Sequence, residues 1–528
     1  MSTPASALTP RAGKREWIGL AVIALPCLLY SMDLTVLHLA VPRLTADLQP
    51  SSTQLLWIID IYGFLVAGCL IAAGTLGDRI GRRRLLLTGA AMFGVASVLA
   101  AFSRSAEMLI ATRAILGIAG ATVAPSTLSL IRNMFLDPQQ RTTAISVWIM
   151  SYSIGGAIGP LIGGALLEFF WWGSVFLIAV PVMLLLLIVG PILLPEYRDP
   201  NAGKPDLVSA VMAITAVLTT IYGLKQIAQD GVSMRALLSI AVGITIGVLF
   251  VRRQLTLKDP LIDMRLFWAP AFSASVATYG LAILILFGGF FFLPQYLQLI
   301  LGLSPFEAGL WMVAWMLAFV IGSLVTPKLS RHIRPARLIA GGLLLSSIGL
   351  VMVAGVGPTT TFLYFATSTF VFSFGSSPLF TLTNDLMIGS APPERAGAAS
   401  GISETSAEFG GALGIAVFGS IGVAVYRGMV GDALPPTVSP EVAEAAKATL
   451  GGALATAAQL PTELGTALTD TARAAFMRGL RVCAWISAIA SVGLAAFAGV
   501  GLRNVRPASE RNATVSADSG EAASASPV

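Results

Sequence analysis

Four carboxylates stand inside long apolar runs: Asp33, Asp60, Glu404 and Glu408. Asp33 sits in Leu28-Leu29-Tyr30-Ser31-Met32-Asp33-Leu34-Thr35-Val36-Leu37-His38, with no basic residue within one helical turn. A lone charge in a bilayer-length helix costs about 3 kcal/mol by insertion scales. Asp33 must therefore face a polar cavity, carry a proton, or meet a partner on another helix. Glu404 and Glu408 are four residues apart and share one helical face. Two acids on one face in an apolar medium cannot both be charged cheaply, so repulsion and desolvation should make at least one of them ready to take up a proton near the working pH. Such a pair can release a proton, accept a cation, and exchange back. The same spacing also fits a neutral structural pair, or Glu408 bridged to Arg113. Asp60 shares a face with Trp57 and Phe64, which would present an acid and a ring together to a cation. Its place near the start of its run equally fits a solvated entrance residue. The four acids are expected to line one central cavity.

The elements that position them must be membrane helices. Apolar residues make up 55% of the 528, charged residues 11%, and the mean hydropathy is +0.82. Nearly charge-free runs recur, each long enough for the ~20 residues that span a bilayer. They lie near 17–41, 54–76, 84–103, 108–130, 142–166, 172–194, 207–227, 235–251, 272–300, 306–327, 336–356, 360–386, 398–425 and 480–502. The runs are continuous rather than alternating, which excludes a β-barrel. Fourteen spans put both termini on one side, and the bias of Lys and Arg makes that side cytoplasmic. The short opposite loops are expected to hold only Arg43, Arg104, Lys225 and Arg235.

A longer outer loop, 427–478, breaks the pattern. Ser439-Pro440-Glu441 reads as a helix start, and Pro461-Thr462-Glu463 as a second. A helical hairpin over the outer mouth is expected there. The three cysteines, Cys27, Cys69 and Cys483, fall in apolar runs and read as packing residues rather than a disulfide framework. Only His38 and His332 supply imidazole, so no metal or other cofactor is expected. His38 lies one turn past Asp33, as a tuning residue or a packing one. No Gly-x-x-x-x-Gly-Lys-[Ser/Thr] is present for ATP. The formal charge of +6 carries no nucleic-acid signal.

Between spans 2 and 3 the chain reads Gly74-Thr75-Leu76-Gly77-Asp78-Arg79-Ile80-Gly81-Arg82-Arg83. This is a tight turn whose aspartate and arginines can latch neighbouring helices. Span 4 carries Leu109-x-x-x-Arg113-x-x-Leu116-Gly117. Span 5 carries Gly155-Gly156-Ala157-Ile158-Gly159-Pro160-Leu161-Ile162-Gly163-Gly164. There Pro160 removes a backbone hydrogen bond and the glycines allow close helix packing. Span 10 offers Trp311, Met312, Trp315 and Met316, either a polarisable wall for organic cations or ordinary packing.

The Gly74–Arg83 loop resembles the signature loop of the major facilitator superfamily. The span-4 run is similar to that superfamily's buried-arginine motif, and Gly155–Gly164 to its antiporter motif. Asp33-Leu34-Thr35-Val36, Leu56-Trp57-Ile58-Ile59-Asp60-Ile61-Tyr62 and Pro393-Glu394-Arg395-Ala396-Gly397 resemble the fourteen-helix drug:proton antiporter branch, closest to exporters of quaternary ammonium compounds and methyl viologen.

The resemblance implies an all-α polytopic membrane fold of two six-helix bundles plus two inserted helices. The expected division is a cytoplasmic tail 1–16, a first bundle 17–195, the inserted pair 196–256, a second bundle 257–505, and a disordered cytoplasmic tail 506–528. It implies a proton-coupled efflux antiporter for bulky lipophilic cations in the cytoplasmic membrane, working as a monomer. Asp33, Asp60, Glu404 and Glu408 would serve proton and substrate, and Arg113 would be a buried charge partner. Gly74, Asp78, Arg79, Gly81 and Arg82 would form the gate. Gly155, Gly159, Pro160, Gly163 and Gly164 would carry the antiporter motif, and Tyr30, Trp57, Trp311 and Trp315 would contact the cation. The alternative on the same fold is a proton-coupled exporter of an endogenous metabolite or natural product. A degenerate second copy of the loop, Gly322 to Arg337, lacks the aspartate. Any latch should thus be stronger in the first half.

Overall fold

A computed structural model describes residues 11–198, 206–258, 260–389, 396–433, 440–503 and 505. Among them there is no β-strand. Thirteen helices are long and apolar enough to cross a membrane. The span expected at 360–386 also forms one helix, α14 (Phe362–Gly389). The motif residues Pro393–Arg395 and the tail 506–528 lie outside the described residues.

The helices run in order α1 (Lys14–Leu48), α2 (Ser52–Ile80), α3 (Arg82–Ala101), α4 (Ala106–Gly120), α5 (Val123–Met134), α6 (Pro138–Phe169), α7 (Ser174–Leu177) and α8 (Ala179–Leu193). The inserted pair is α9 (Leu207–Asp230) and α10 (Met234–Thr256). Then come α11 (Pro270–Gln295), α12 (Pro305–Leu329), α13 (Pro335–Ala354), α14, α15 (Ala396–Ala433), α16 (Pro440–Ala448), α17 (Leu450–Ala457) and α18 (Thr462–Gly501). Span 4 is divided into α4 and α5, next to Pro125, which cannot donate to the carbonyl one turn back.

The chain forms two compact units. The first takes in the described residues of 11–261, 294–309 and 427–473. In it α6 lies against α1, and α2 packs on both α4 and α9. The second takes in the described residues of 262–293, 310–426 and 474–505. Its α13 and α14 meet through small residues: Ser346 Oγ donates to the Phe372 carbonyl at 2.7 Å, and a Cβ on Gly349 would fall 2.6 Å from Phe372 Cα. Its α11 and α15 approach at glycines too, where a Cβ on Gly410 would fall 2.7 Å from the Gly280 carbonyl. Close approach through Gly and Ser is how helices pack where no water drives them together.

Three sequence expectations are corrected. Lys225 is not in a loop; it is inside α9 and fully buried. Asp60 is not a solvated entrance residue, because it is buried against that lysine. The chain restarting at Pro461 does not form a separate hairpin arm. It is the beginning of α18, which runs unbroken from Thr462 to Gly501 because no proline interrupts it. The outer segment instead carries α16 and α17. Ser52 at the start of α2 donates to the Ala448 carbonyl at 2.6 Å, and Arg427 meets Glu444 at 2.8 Å.

Candidate functional site

Asp33 has a partner on another helix. Arg113 Nη1 of α4 reaches Asp33 Oδ2 of α1 at 2.5 Å. Arg113 Nε donates to the Ile58 carbonyl of α2 at 3.2 Å, and the guanidinium lies 4.6 Å from the Tyr62 ring centroid. Three helices are thus tied by one rigid fork. The two side chains differ in access: Arg113 is 1% exposed and Asp33 is 14%. The arginine is sealed while the acid keeps an open face. His38 is buried further along α1.

The antiporter-motif glycines seat α6 on the turns around Asp33. A Cβ on Gly155 would collide with the Leu28 carbonyl, and one on Gly159 with Thr35 Oγ1. One on Gly163 would come within 2.9 Å of Val36 Cγ1. Gly164 meets the Pro305 carbonyl, where a Cβ would fall at 2.6 Å. These residues fix the position of the helix that carries the acid.

Tyr30 belongs to an aromatic group that the sequence reading only partly found. It lies edge-on to Tyr152 at 5.6 Å between ring centroids and 6.1 Å from Tyr62. Trp148 packs on Tyr152 at 4.9 Å and donates Nε1–H to Thr127 Oγ1 at 2.9 Å. The available signal was the i, i+4 spacing of Trp148 and Tyr152, which puts both rings on one face of α6.

Asp60 and Trp57 do face a cation, and it is the protein's own. Lys225 Nζ donates to Asp60 Oδ1 at 2.9 Å, stands 2.7 Å from Oδ2, and lies 3.7 Å from the Trp57 ring centroid. Both charged side chains are 0% exposed.

Glu404 and Glu408 lie in the second unit on α15, Glu404 exposed and Glu408 half-buried. Tyr279 of α11 is within electrostatic reach of both, and on α15 Ser403 Oγ donates to Asn384 Oδ1 at 2.9 Å. Tyr279 and Asn384 were not found from the sequence, because single polar residues in apolar helices give no spacing signal. Trp311 lies edge-on to Phe362 and tilted to Phe365, at 5.3 and 5.7 Å between ring centroids, and Trp315 lies edge-on to Phe290 and Phe372 at 5.1 and 5.3 Å. These tryptophans belong to the aromatic packing of the second unit, with Met312 buried beside them.

At the signature turn Arg82 pairs with Asp78 at 2.5 Å and donates to the Pro125 carbonyl at 3.3 Å. Gly81 has φ +114°, a backbone that favours glycine, and a Cβ there would collide with Glu196. Glu196 is the partner that sequence reasoning missed. It lies 3.7 Å from Arg83 and 3.8 Å from Arg84, while Arg83 Nη1 donates to the Leu194 carbonyl at 2.9 Å. Arg79 is exposed, and a Cβ on Gly74 would only touch Pro125 at 3.7 Å.

Residues 23–415 match the Major Facilitator Superfamily. The chain is 44% identical over 501 residues to the multidrug efflux pump LfrA of Mycolicibacterium smegmatis, covering 95% of this chain and 98% of that protein. It is 36% identical to the methyl viologen resistance protein SmvA of Salmonella typhimurium, covering 88% and 93%. It is 30% identical to the tetracenomycin C resistance and export protein of Streptomyces glaucescens, covering 94% and 93%. Among solved structures it resembles an inward-facing, unoccupied bacterial homolog of the human lysosomal transporter Spinster. The TM-score is 0.66 at 19% identity, covering 93% and 98%, a likeness of fold alone.

Proposed function

The chain belongs to the Major Facilitator Superfamily, and on that premise we propose that it is a proton-coupled multidrug efflux antiporter for bulky lipophilic cations. The relatives LfrA and SmvA, named for multidrug efflux and methyl viologen resistance, support the cargo class. It works as a monomer in the cytoplasmic membrane with both termini on the cytoplasmic side, in keeping with the Lys and Arg bias.

The observation that carries the coupling is the Asp33–Arg113 pair, with its sealed base and accessible acid. A proton arriving at Asp33 removes its charge and frees Arg113 from it. A departing proton restores a carboxylate that can hold Arg113 or answer a cation. Two positive groups competing for one acid cannot both be satisfied, which is the physical basis of exchange. Each inward proton supplies about 2.3 kcal/mol per 100 mV of potential. Glu404 and Glu408, with Tyr279 beside them, are the second place where protons and cations are handled.

The test uses inside-out vesicles with an acidic interior and a pH-sensitive dye. Ethidium, benzalkonium and methyl viologen are added in turn, with Asp33→Asn as control. Proton release on addition of a cation in the native protein and none in the variant is the expected result. No release with any cation removes the multidrug reading. The antibiotic exporter among the relatives then directs the search to natural products.

A further inference from the structure

Proteins that bind organic cations in dry surroundings do so with an acid and an aromatic face together, because the ring quadrupole and the carboxylate both attract positive charge. Asp60 and Trp57 form such a cage on α2, one helical turn apart. It is filled by Lys225, at 2.7 Å from the carboxylate and 3.7 Å from the ring.

The lysine arrives from the inserted pair. α9 runs antiparallel along α2: Thr53 N donates to Gln229 Oε1 at 3.3 Å near one end, Asp60 meets Lys225 further in, and a Cβ on Gly68 would collide with Ile214 beyond. The ion pair therefore sits inside a helix–helix seam, between the Gln229 contact and the Ile214 contact. The other charge in electrostatic reach of Asp60 is Arg113, which is engaged by Asp33.

Asp33 and Asp60 thus differ in one decisive respect. Asp33 is 14% exposed, and Asp60 and Lys225 are each 0% exposed. A coupling acid has to be reached by a proton or a cation from water. Asp60 is walled off, and its counter-charge is supplied by the protein.

We propose that Lys225 is the resident cation of the Asp60–Trp57 cage: it holds Asp60 as a carboxylate, withdraws it from proton and drug traffic, and by that contact fastens the inserted helix α9 to α2. The inserted helices then do more than lengthen the chain. They supply the charge that turns a membrane acid from a titrating group into a fixed one, leaving Asp33 as the working acid of this unit. This rests on the antiport reading for its transport consequence, although the state of Asp60 can be read without transport.

The experiment takes the purified full-length protein in lipid nanodiscs, native and as D60N, K225M, the double neutral D60N/K225M and the charge swap D60K/K225D. Infrared spectra read the carbonyl stretch of protonated carboxyls, melting reads the fold, and ethidium-driven proton release in proteoliposomes reads exchange. The expected infrared result is no protonated-carboxyl band lost on going from native to D60N, and a new band in K225M that the double variant lacks. The double variant should melt above both single variants and keep exchange within about threefold of native, since a matched neutral pair can replace a buried ion pair. A protonated-carboxyl band in the native protein that D60N or D60N/K225M removes overturns the proposal. So does a double variant that melts like native but no longer exchanges. Where the single variants do not fold, the double variant and the charge swap carry the decision. Retained exchange supports a fixed pair, and lost exchange in a native-like fold refutes it. Absence of exchange in the native protein defeats the antiport reading instead, and the infrared comparison alone then decides the role of Lys225.

Discussion

Arg113 reaches Asp33 at 2.5 Å while holding the Ile58 carbonyl at 3.2 Å, so one guanidinium joins α1, α2 and α4. The joint is asymmetric in solvent access, since Asp33 has an open face and Arg113 has none. An acid that water can reach, held by a base that it cannot, can change charge without the base leaving the helix bundle.

Arg113→Lys tests the fork. An ammonium is a point charge and cannot make both contacts from the same geometry. Losing a hydrogen bond to a charged partner costs roughly 1.5–3 kcal/mol. Ethidium-driven proton release should fall about tenfold or more while the protein still folds. Unchanged exchange in Arg113→Lys would show that only the charge matters.

Gly159→Val tests whether the antiporter-motif glycines act by positioning α1. The added branch meets Thr35 and Met32, one on each side of Asp33. Overpacking of this kind costs about 1–3 kcal/mol. A lowered melting temperature and weakened exchange are expected. Gly341→Ala on α13 is the control, because nothing lies within 4 Å of its added Cβ. It should melt at or above the native temperature, as Ala is favoured over Gly in a helix.

Glu196→Gln separates the latch from the fold. Its partners Arg83 and Arg84 are partly exposed, and such pairs are worth about 0–1 kcal/mol. Melting should barely move, while the transport rate changes because the turn is freed from the end of α8. Gly81→Ala is the severe counterpart. It places a side chain at φ +114° and against Glu196, and should cost about 1–3 kcal/mol.

Asp206 caps α9 just outside its span. Burial pushes its carboxyl up, but hydrogen bonds from Ser209 and the Arg253 guanidinium outweigh that and hold it below the ordinary value of 3.8. A depressed carboxylate contributes stability that is present above its unfolded value and lost as pH falls through its folded one. The protection of the first-turn amides of α9, taken relative to their intrinsic exchange rates, should therefore hold at neutral pH and fall only in acid, below the ordinary carboxylate range. Asp206→Asn should abolish that acid-side change. A protection profile that is flat through the acid range in the native protein would contradict the assignment.

Much of this was legible in the residues. Runs of ~20 apolar residues dictate spanning helices, since an unpaired backbone group cannot be left in hydrocarbon. An acid within such a run demands a proton, a cavity or a partner, which marked Asp33 before any contact was known. The glycines from Gly155 to Gly164 announced a close helix approach through their lack of side chains. None of this said which helix approaches or which base answers.

The tertiary structure decided those points. Lys225 lies near the end of its helix, and the sequence alone let it pass as a loop charge. Only the antiparallel seam of α9 on α2 brings its ammonium to Asp60 and Trp57, from a position 165 residues away. Glu196 and Tyr279 were likewise invisible, because isolated polar residues acquire a role from what they touch. Chain composition sets where a segment can reside, through transfer free energy summed over local residues. Charge pairing depends on distances between helices far apart in the chain, and those exist only once the helices have packed.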